Sequence, residues 1–173
     1  MSAVIIRRER EEDYAAISAL VERAFAGAEH SDGNEHELVG ALRGCPEYIP
    51  GLSLAAEDGG LLAGYIMFTA LRIDGSAQLA LAPLAVLPEY QRRGVGSALV
   101  RRGHELARSM GYGYSVVLGS AEYYPRFGYV PASRYGICAP FDAPEENFMA
   151  CKLRPDAPKI SGTALYAAPF GVG

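Results

Sequence analysis

The segment Leu84-Ala85-Val86-Leu87-Pro88-Glu89-Tyr90-Gln91-Arg92-Arg93-Gly94-Val95-Gly96-Ser97-Ala98-Leu99 carries the densest chemistry in the chain. An apolar run enters a polar turn with two glycines, and an amphipathic run leaves it. The first amides of a helix lack intrahelical acceptors, and the helix dipole favours negative charge beside them. Gly94 and Gly96 leave those amides uncovered, Arg92 and Arg93 add charge, and Ser97 adds a hydroxyl donor. This is the pattern of an anion site, with phosphate as its natural ligand. Two familiar phosphate loops do not fit. The dinucleotide fingerprint Gly-x-Gly-x-x-Gly has Leu99 where its third glycine belongs, and no Gly-Lys-Ser/Thr follows to make a P-loop. The glycines could serve only to tighten a strand–helix turn. Gln91-Arg92-Arg93 directly ahead of them favours the anion.

The elements that must position this turn follow from periodicity. Residues 3–7 read as a short strand. Ile17, Leu20, Val21, Ala24 and Phe25 form one apolar stripe, which predicts a helix over about 12–26 with Glu11, Glu12 and Asp13 at its positive end. Residues 27–34 read as a loop. A second helix carries Leu38, Val39 and Leu42, with Asn34 or Asp32 as its cap and Gly44 as its stop. Residues 52–57, 61–73 and 77–87 read as an antiparallel meander, punctuated by Asp58-Gly59-Gly60 and Asp74-Gly75. After the glycine turn a helix runs to Met110, burying Val95, Leu99, Leu106 and Met110, with Gly103 permitting close approach and Gly111 as its C-cap. A strand over 114–118, a short helix to Phe127, a strand from Tyr129 and a last strand over 148–153 complete the order β-α-α-β-β-β-α-β-α-β. The expected fold class is α/β (α+β), a mixed, mostly antiparallel central sheet flanked by helices.

Gln91-Arg92-Arg93-Gly94-Val95-Gly96-Ser97-Ala98-Leu99 resembles the Gln/Arg-x-x-Gly-x-Gly/Ala signature of the GNAT superfamily of acetyl-CoA-dependent N-acetyltransferases. Leu81-Ala82-Pro83-Leu84-Ala85-Val86 and Tyr123-Tyr124-Pro125-Arg126-Phe127-Gly128-Tyr129 resemble its YhbS-like branch. The likeness runs from residue 3 to about residue 153. It implies that Gln91 and the turn Arg92, Arg93, Gly94, Val95, Gly96 and Ser97 hold the pyrophosphate of coenzyme A. It implies also that the backbone of Leu84, Ala85 and Val86 bonds the pantetheine arm. The local residues agree. Pro83 cannot donate to a ladder and marks a bulge or an unpaired edge, and an unpaired edge suits an added amide chain.

Acetyl transfer from a thioester to an amine needs a base for the amine and an acid for the departing thiolate. The resemblance implies a tyrosine four residues before a Gly-aromatic pair as that acid, which is Tyr124 ahead of Gly128-Tyr129. Tyr123 and Tyr124 could equally be amphipathic core residues. For the base, Glu35, His30, Glu57 and Glu122 are the candidates. The family's acceptor region between the first two helices favours Glu35 and His30 by analogy. His36 and His104 fall at helical positions and carry no site signal. No His, Cys and carboxylate spacing suits a metal, so acetyl-CoA is the one cosubstrate expected.

Composition bounds the rest. A length of 173 residues predicts one domain over 1–173, a core at about 3–153 and a Pro/aromatic extension over 154–173. The net charge of −4 excludes a generally basic nucleic-acid coat. Of 16 cationic residues, only Lys152 and Lys159 are lysine, and arginine is the fork-shaped donor suited to phosphate. Three cysteines without Cys-x-x-Cys spacing argue for buried neutral thiols and against a disulfide framework. The longest apolar run, 79–87, is broken by Pro83 and falls short of the ~18 residues of a membrane span, so neither a membrane nor a nucleic-acid partner is expected. A cytoplasmic setting fits. Six of the 11 prolines lie within 131–173, among aromatics. That stretch is expected to pack on the core or make a homodimer contact, and could also close over an acceptor. The expected activity is direct transfer of an acetyl group to a primary amine of a small molecule or peptide. The rival expectation is a non-catalytic acyl-CoA-binding sensor or interaction module.

Overall fold

The computed structural model describes residues 4–28 and 31–172. His30 lies outside them. Strand β1 (Ile5–Arg8) leads through a 3₁₀ turn at Glu11–Asp13 into α1 (Tyr14–Phe25) and then α2 (Glu35–Arg43). The meander follows as β2 (Tyr48–Asp58), β3 (Leu61–Ile73) and β4 (Ser76–Val86). Its two turns are short because Gly59, Gly60, Asp74 and Gly75 all take positive φ, the geometry of two-residue hairpins whose twist matches the strands. Helix α3 (Val95–Ser109) connects β4 to β5 (Tyr114–Leu118), which pair parallel. The remaining strands are β6 (Tyr129–Pro131), β7 (Ile137–Cys138), β8 (Phe148–Lys152) and β9 (Gly162–Thr163). Seven strands make one sheet in the order β1-β2-β3-β4-β5-β8-β6, antiparallel except for β4 with β5, and β7 pairs with β9 apart from it.

The pleat of β3 sorts the core into two faces. Ile66 and Phe68 meet Val95, Leu99 and Val100 of α3. Tyr65 and Met67 meet Ile17, Leu20 and Val21 of α1 and Val39 and Leu42 of α2. Helix α3 lies close to β3 because Gly103 has no side chain; a Cβ there would stand 2.3 Å from the Phe68 ring. One expectation for this helix is corrected. Met110 is 46% exposed, and His104 belongs to the buried face with Val100 and Ala107. The helix ends at Ser109, so Met110 is already its cap and turns outward with Gly111 in the left-handed region.

The C-terminal segment packs. Ala157, Ala164 and Ala167 are buried, Leu165 pairs with Arg72 through both backbone bonds, and Phe148, Phe141, Tyr166 and Phe170 form a chain of ring contacts at 5.1–5.9 Å. The expectation of buried thiols holds for Cys151 alone, since Cys45 is half-buried and Cys138 exposed. Among the described residues no helix is long and apolar enough to cross a membrane, and no group of three His, Cys or carboxylates is placed to hold a metal.

Burial also fixes a pH dependence. Desolvation, with Arg108 and Arg101 nearby, pushes the His104 imidazole down to about 4. The unfolded chain binds that proton near pH ~6.5, so it takes up protons that the native state refuses. Stability from this group is whole above pH ~6.5 and is lost as pH falls towards about 4. The expected loss by pH 5 is about 2 kcal/mol relative to pH 7. Urea unfolding of the wild type and His104→Gln at both pH values checks it. An equal fall in the two proteins counts against the assignment.

Candidate active site

Strands β4 and β5 pair only at Leu79–Ser115 and Ala80–Val116. Beyond that point they part. The register of β4 on β3 slips between Phe68–Leu81 and Ile66–Leu84, so Ala82 and Pro83 form a bulge that turns the end of β4 away from β5. Pro83 is buried, which removes the reading of an ordinary solvent edge. A cleft of about 900 Å³ occupies the opening. Leu84 and Val86 wall one side and Val117, Leu118 and Gly119 the other. Leu118 is 51% exposed because it faces this space. Ala85 alternates to the opposite face, buried against the α1 and α2 cluster, and its backbone lies in the ladder with Tyr65 of β3, so Leu84 and Val86 make the parted edge.

The glycine turn closes one end. Gln91, Arg92, Gly94, Val95, Gly96 and Ser97 all line the cleft. Gly94 is the N-cap of α3 with φ +82°, and the first intrahelical bond is donated by the Ala98 amide to the Gly94 carbonyl at 3.0 Å. The amides of Val95, Gly96 and Ser97 are therefore the free donors of the first turn. Gln91 donates from its side chain to the Val86 carbonyl at 3.1 Å, tying the turn to the end of β4. Arg92 holds φ +63° and is exposed. Arg93 does not line the cleft; its guanidinium sits 5.5 Å over the Tyr90 ring.

Tyr124 opens the 3₁₀ turn Tyr124–Phe127 and reaches the same cleft. Gly119 makes room for it, since a Cβ there would stand 2.5 Å from the Tyr124 ring. Tyr123 and Tyr129 meet the ring edge-on at 5.1 Å and 5.7 Å. Burial pushes its hydroxyl above the usual phenol range, with the nearby Tyr123 adding to the effect, so it stays protonated at neutral pH. Among the described residues the hydroxyl has no hydrogen-bond partner.

The base candidates separate. Glu35, the first residue of α2, lines the cleft half-buried and accepts a hydrogen bond from Ser31 at 2.8 Å. Among the described residues it is the one carboxylate on these walls, which also carry the cations Arg92 and Arg126. Glu57 is drawn elsewhere, accepting from Arg7 Nε at 3.2 Å and Nη2 at 3.1 Å while Arg7 also grips Asp13. Glu122 is exposed and off the cleft. Sequence reasoning left several wall residues unassigned, among them Phe25, Leu38, Leu118, Tyr123 and Arg126. Tyr123 brings its hydroxyl within 2.6 Å of where a Gly96 Cβ would stand, and Arg126 lies 4.7 Å over the Tyr123 ring. The available signal was Tyr123-Tyr124-Pro125-Arg126 itself, in which a proline-stiffened turn carries a cation beside two phenols.

Residues 14–129 match the acetyltransferase (GNAT) family. The chain is 40% identical over 169 residues to the uncharacterized N-acetyltransferase YjhQ of Escherichia coli, covering 93% of this chain and 91% of that protein. It is 32% identical to YhbS of the same organism, covering 96% and 98%. The crystal structure of YhbS from Escherichia coli in complex with CoA superposes with a TM-score of 0.90 at 28% identity over 99% of this chain and 93% of that one. A GNAT family acetyltransferase from Brucella melitensis in complex with acetyl-CoA superposes with a TM-score of 0.80 at 33% identity, over 98% and 99%.

Proposed function

We propose that this chain, which belongs to the acetyltransferase (GNAT) family, moves the acetyl group of acetyl-CoA directly to a primary amine of a small molecule or peptide. One observation carries the reading: a single cleft joins the free amides of α3, the parted edge of β4, the Tyr124 hydroxyl and the Glu35 carboxylate. The residues fit the cosubstrate. The amides of Val95, Gly96 and Ser97 donate to the pyrophosphate, with Arg92 supplying charge at the turn and Gln91 holding the turn on β4. The backbone of Leu84 and Val86, on either side of Ala85, has no strand on its β5 side and pairs with the amides of pantetheine as a strand would. Leu118 covers the apolar part of that arm.

Acetyl-CoA supplies the acyl group as a thioester. Glu35 attracts the ammonium form of the acceptor and takes a proton from its nitrogen. The nitrogen forms the new bond to the acyl carbon and sheds its second proton to solvent as the carbon–sulfur bond breaks. Tyr124 passes its phenolic proton to the sulfur and recovers one from solvent. A phenol with a raised pKa is a poor donor to an ordinary thiolate of pKa ~8.5, but the apolar walls that raise the phenol raise the thiol as well, which brings the two closer. A cationic acceptor suits a cleft that presents the Glu35 carboxylate.

The test is release of free thiol from acetyl-CoA with a panel of alkyl diamines, arylalkyl amines, amino acid amides and lysine peptides, corrected for hydrolysis. Release above baseline with a cationic amine is expected, lost on Glu35→Gln. Stabilisation by coenzyme A with no amine-dependent release would instead make the chain an acyl-CoA-binding sensor or interaction module.

A further inference from the structure

Beneath the cleft lies a polar chain that the reaction does not touch. The Tyr129 hydroxyl stands 2.9 Å from Ser115 Oγ and 3.0 Å from His104 Nε2. The three residues are 0–3% exposed and come from three elements: Ser115 from β5, Tyr129 from the start of β6, His104 from the third turn of α3. Polar groups this deep cost free energy unless paired, and a paired set fixes one geometry more sharply than apolar packing does. The Tyr129 ring is thereby held in one place.

That ring is a wall of the Tyr124 cage. Tyr129 meets it edge-on at 5.7 Å and 77°, with the backbone of Gly119 beneath and Tyr123 against another edge. Tyr123 is itself part of the cleft surface and stacks with Arg126. The Tyr124 hydroxyl has no hydrogen-bond partner among the described residues, so ring packing alone decides where its oxygen sits. We infer that Tyr129, locked by His104 and Ser115, is a positioning residue for Tyr124, and that through His104 it sets the position of that hydroxyl against the helix whose N-terminus carries the free amides. A misplacement of about 1 Å at a reacting group is enough to cost up to 10²-fold in rate. The inference rests on the reading of Tyr124 as proton donor.

The test is a double-mutant cycle between Tyr129→Phe and Tyr124→Phe. Tyr129→Phe keeps the ring and removes both hydrogen bonds. The expected result is a fall in kcat of about fivefold or more, with the Kd of acetyl-CoA changed less than about twofold. In the Tyr124→Phe background the same change has an effect below about twofold, because the group it positions is gone. His104→Gln, whose side-chain amide reaches Tyr129, retains more kcat than His104→Leu. Should Tyr129→Phe fail to fold, Ser115→Ala removes one of the two bonds and takes its place in the cycle. Wild-type kcat in folded Tyr129→Phe, or a loss that multiplies with that of Tyr124→Phe, overturns the inference while leaving Tyr124 in its role. Full turnover in Tyr124→Phe removes the donor itself, a distinct outcome.

Discussion

Replacing Tyr124 by phenylalanine lowers kcat by at least about tenfold, and as far as the 10²–10⁴ range of a lost general acid, while the Kd of acetyl-CoA shifts less than about twofold. The reason is the division of labour in the cleft. In the proposed reading the cosubstrate is held by backbone, by the helix terminus and by Arg92, and Tyr124 is none of these. The ring stays in its cage because phenylalanine has the same outline, so the change removes one O–H and little else. Steady-state thiol release and calorimetric titration with acetyl-CoA separate the two effects. The raised phenol keeps its proton across neutral pH, so the deficit is expected to be flat from pH 6 to about 9. Turnover equal to wild type over that range would falsify the role of Tyr124.

Gly96→Asp weakens coenzyme A by about 100-fold or more while leaving α3 intact. Gly96 is the second residue of the helix, and an acidic side chain in a first turn is favoured by the helix dipole, so folding is not the casualty. The new Cβ stands 2.6 Å from the Tyr123 hydroxyl, which must swing aside into the cleft, and the carboxylate faces the place where phosphates bind. In the wild type, coenzyme A at 100 times its Kd adds about 2.7 kcal/mol to the stability of the native state. The variant at the same concentration gains almost nothing. Thermal melts with and without coenzyme A measure this directly. A variant that melts like the wild type and still shows the full shift shows that the turn is not the pyrophosphate site.

Much of this architecture was legible because the signals are local. The bounds of β3 agree with the turn residues that flank it and those of β5 with its β-branched run, and both hairpins of the meander sit on glycines that accept positive φ. The stop of α3 at Gly111 follows from a backbone conformation that a residue with a Cβ avoids. The anion turn was legible for the same reason: free amides, absent side chains and adjacent arginines are properties of seven consecutive residues.

What lies across the sheet was not legible in that way. Glu35, Glu57 and Glu122 are alike on the page, and the choice among them was made by partners far off in the chain. Arg7, fifty residues away, engages Glu57, whereas the parting of β4 from β5 leaves Glu35 facing the cleft. Tyr123 and Arg126 joined the walls because their turn folds back over the start of α3. His104 had no signal in its neighbours; its burial and its bond to Tyr129 exist only where α3, β5 and β6 converge. The sequence by itself determined the elements and the glycine turn, since hydrogen bonds within a few residues and the pleat of a strand decide those, while the acid candidate came from family resemblance. The tertiary structure alone decided which carboxylate meets the cleft and what holds Tyr124 in place, since both depend on contacts between residues that the chain separates and only packing brings together.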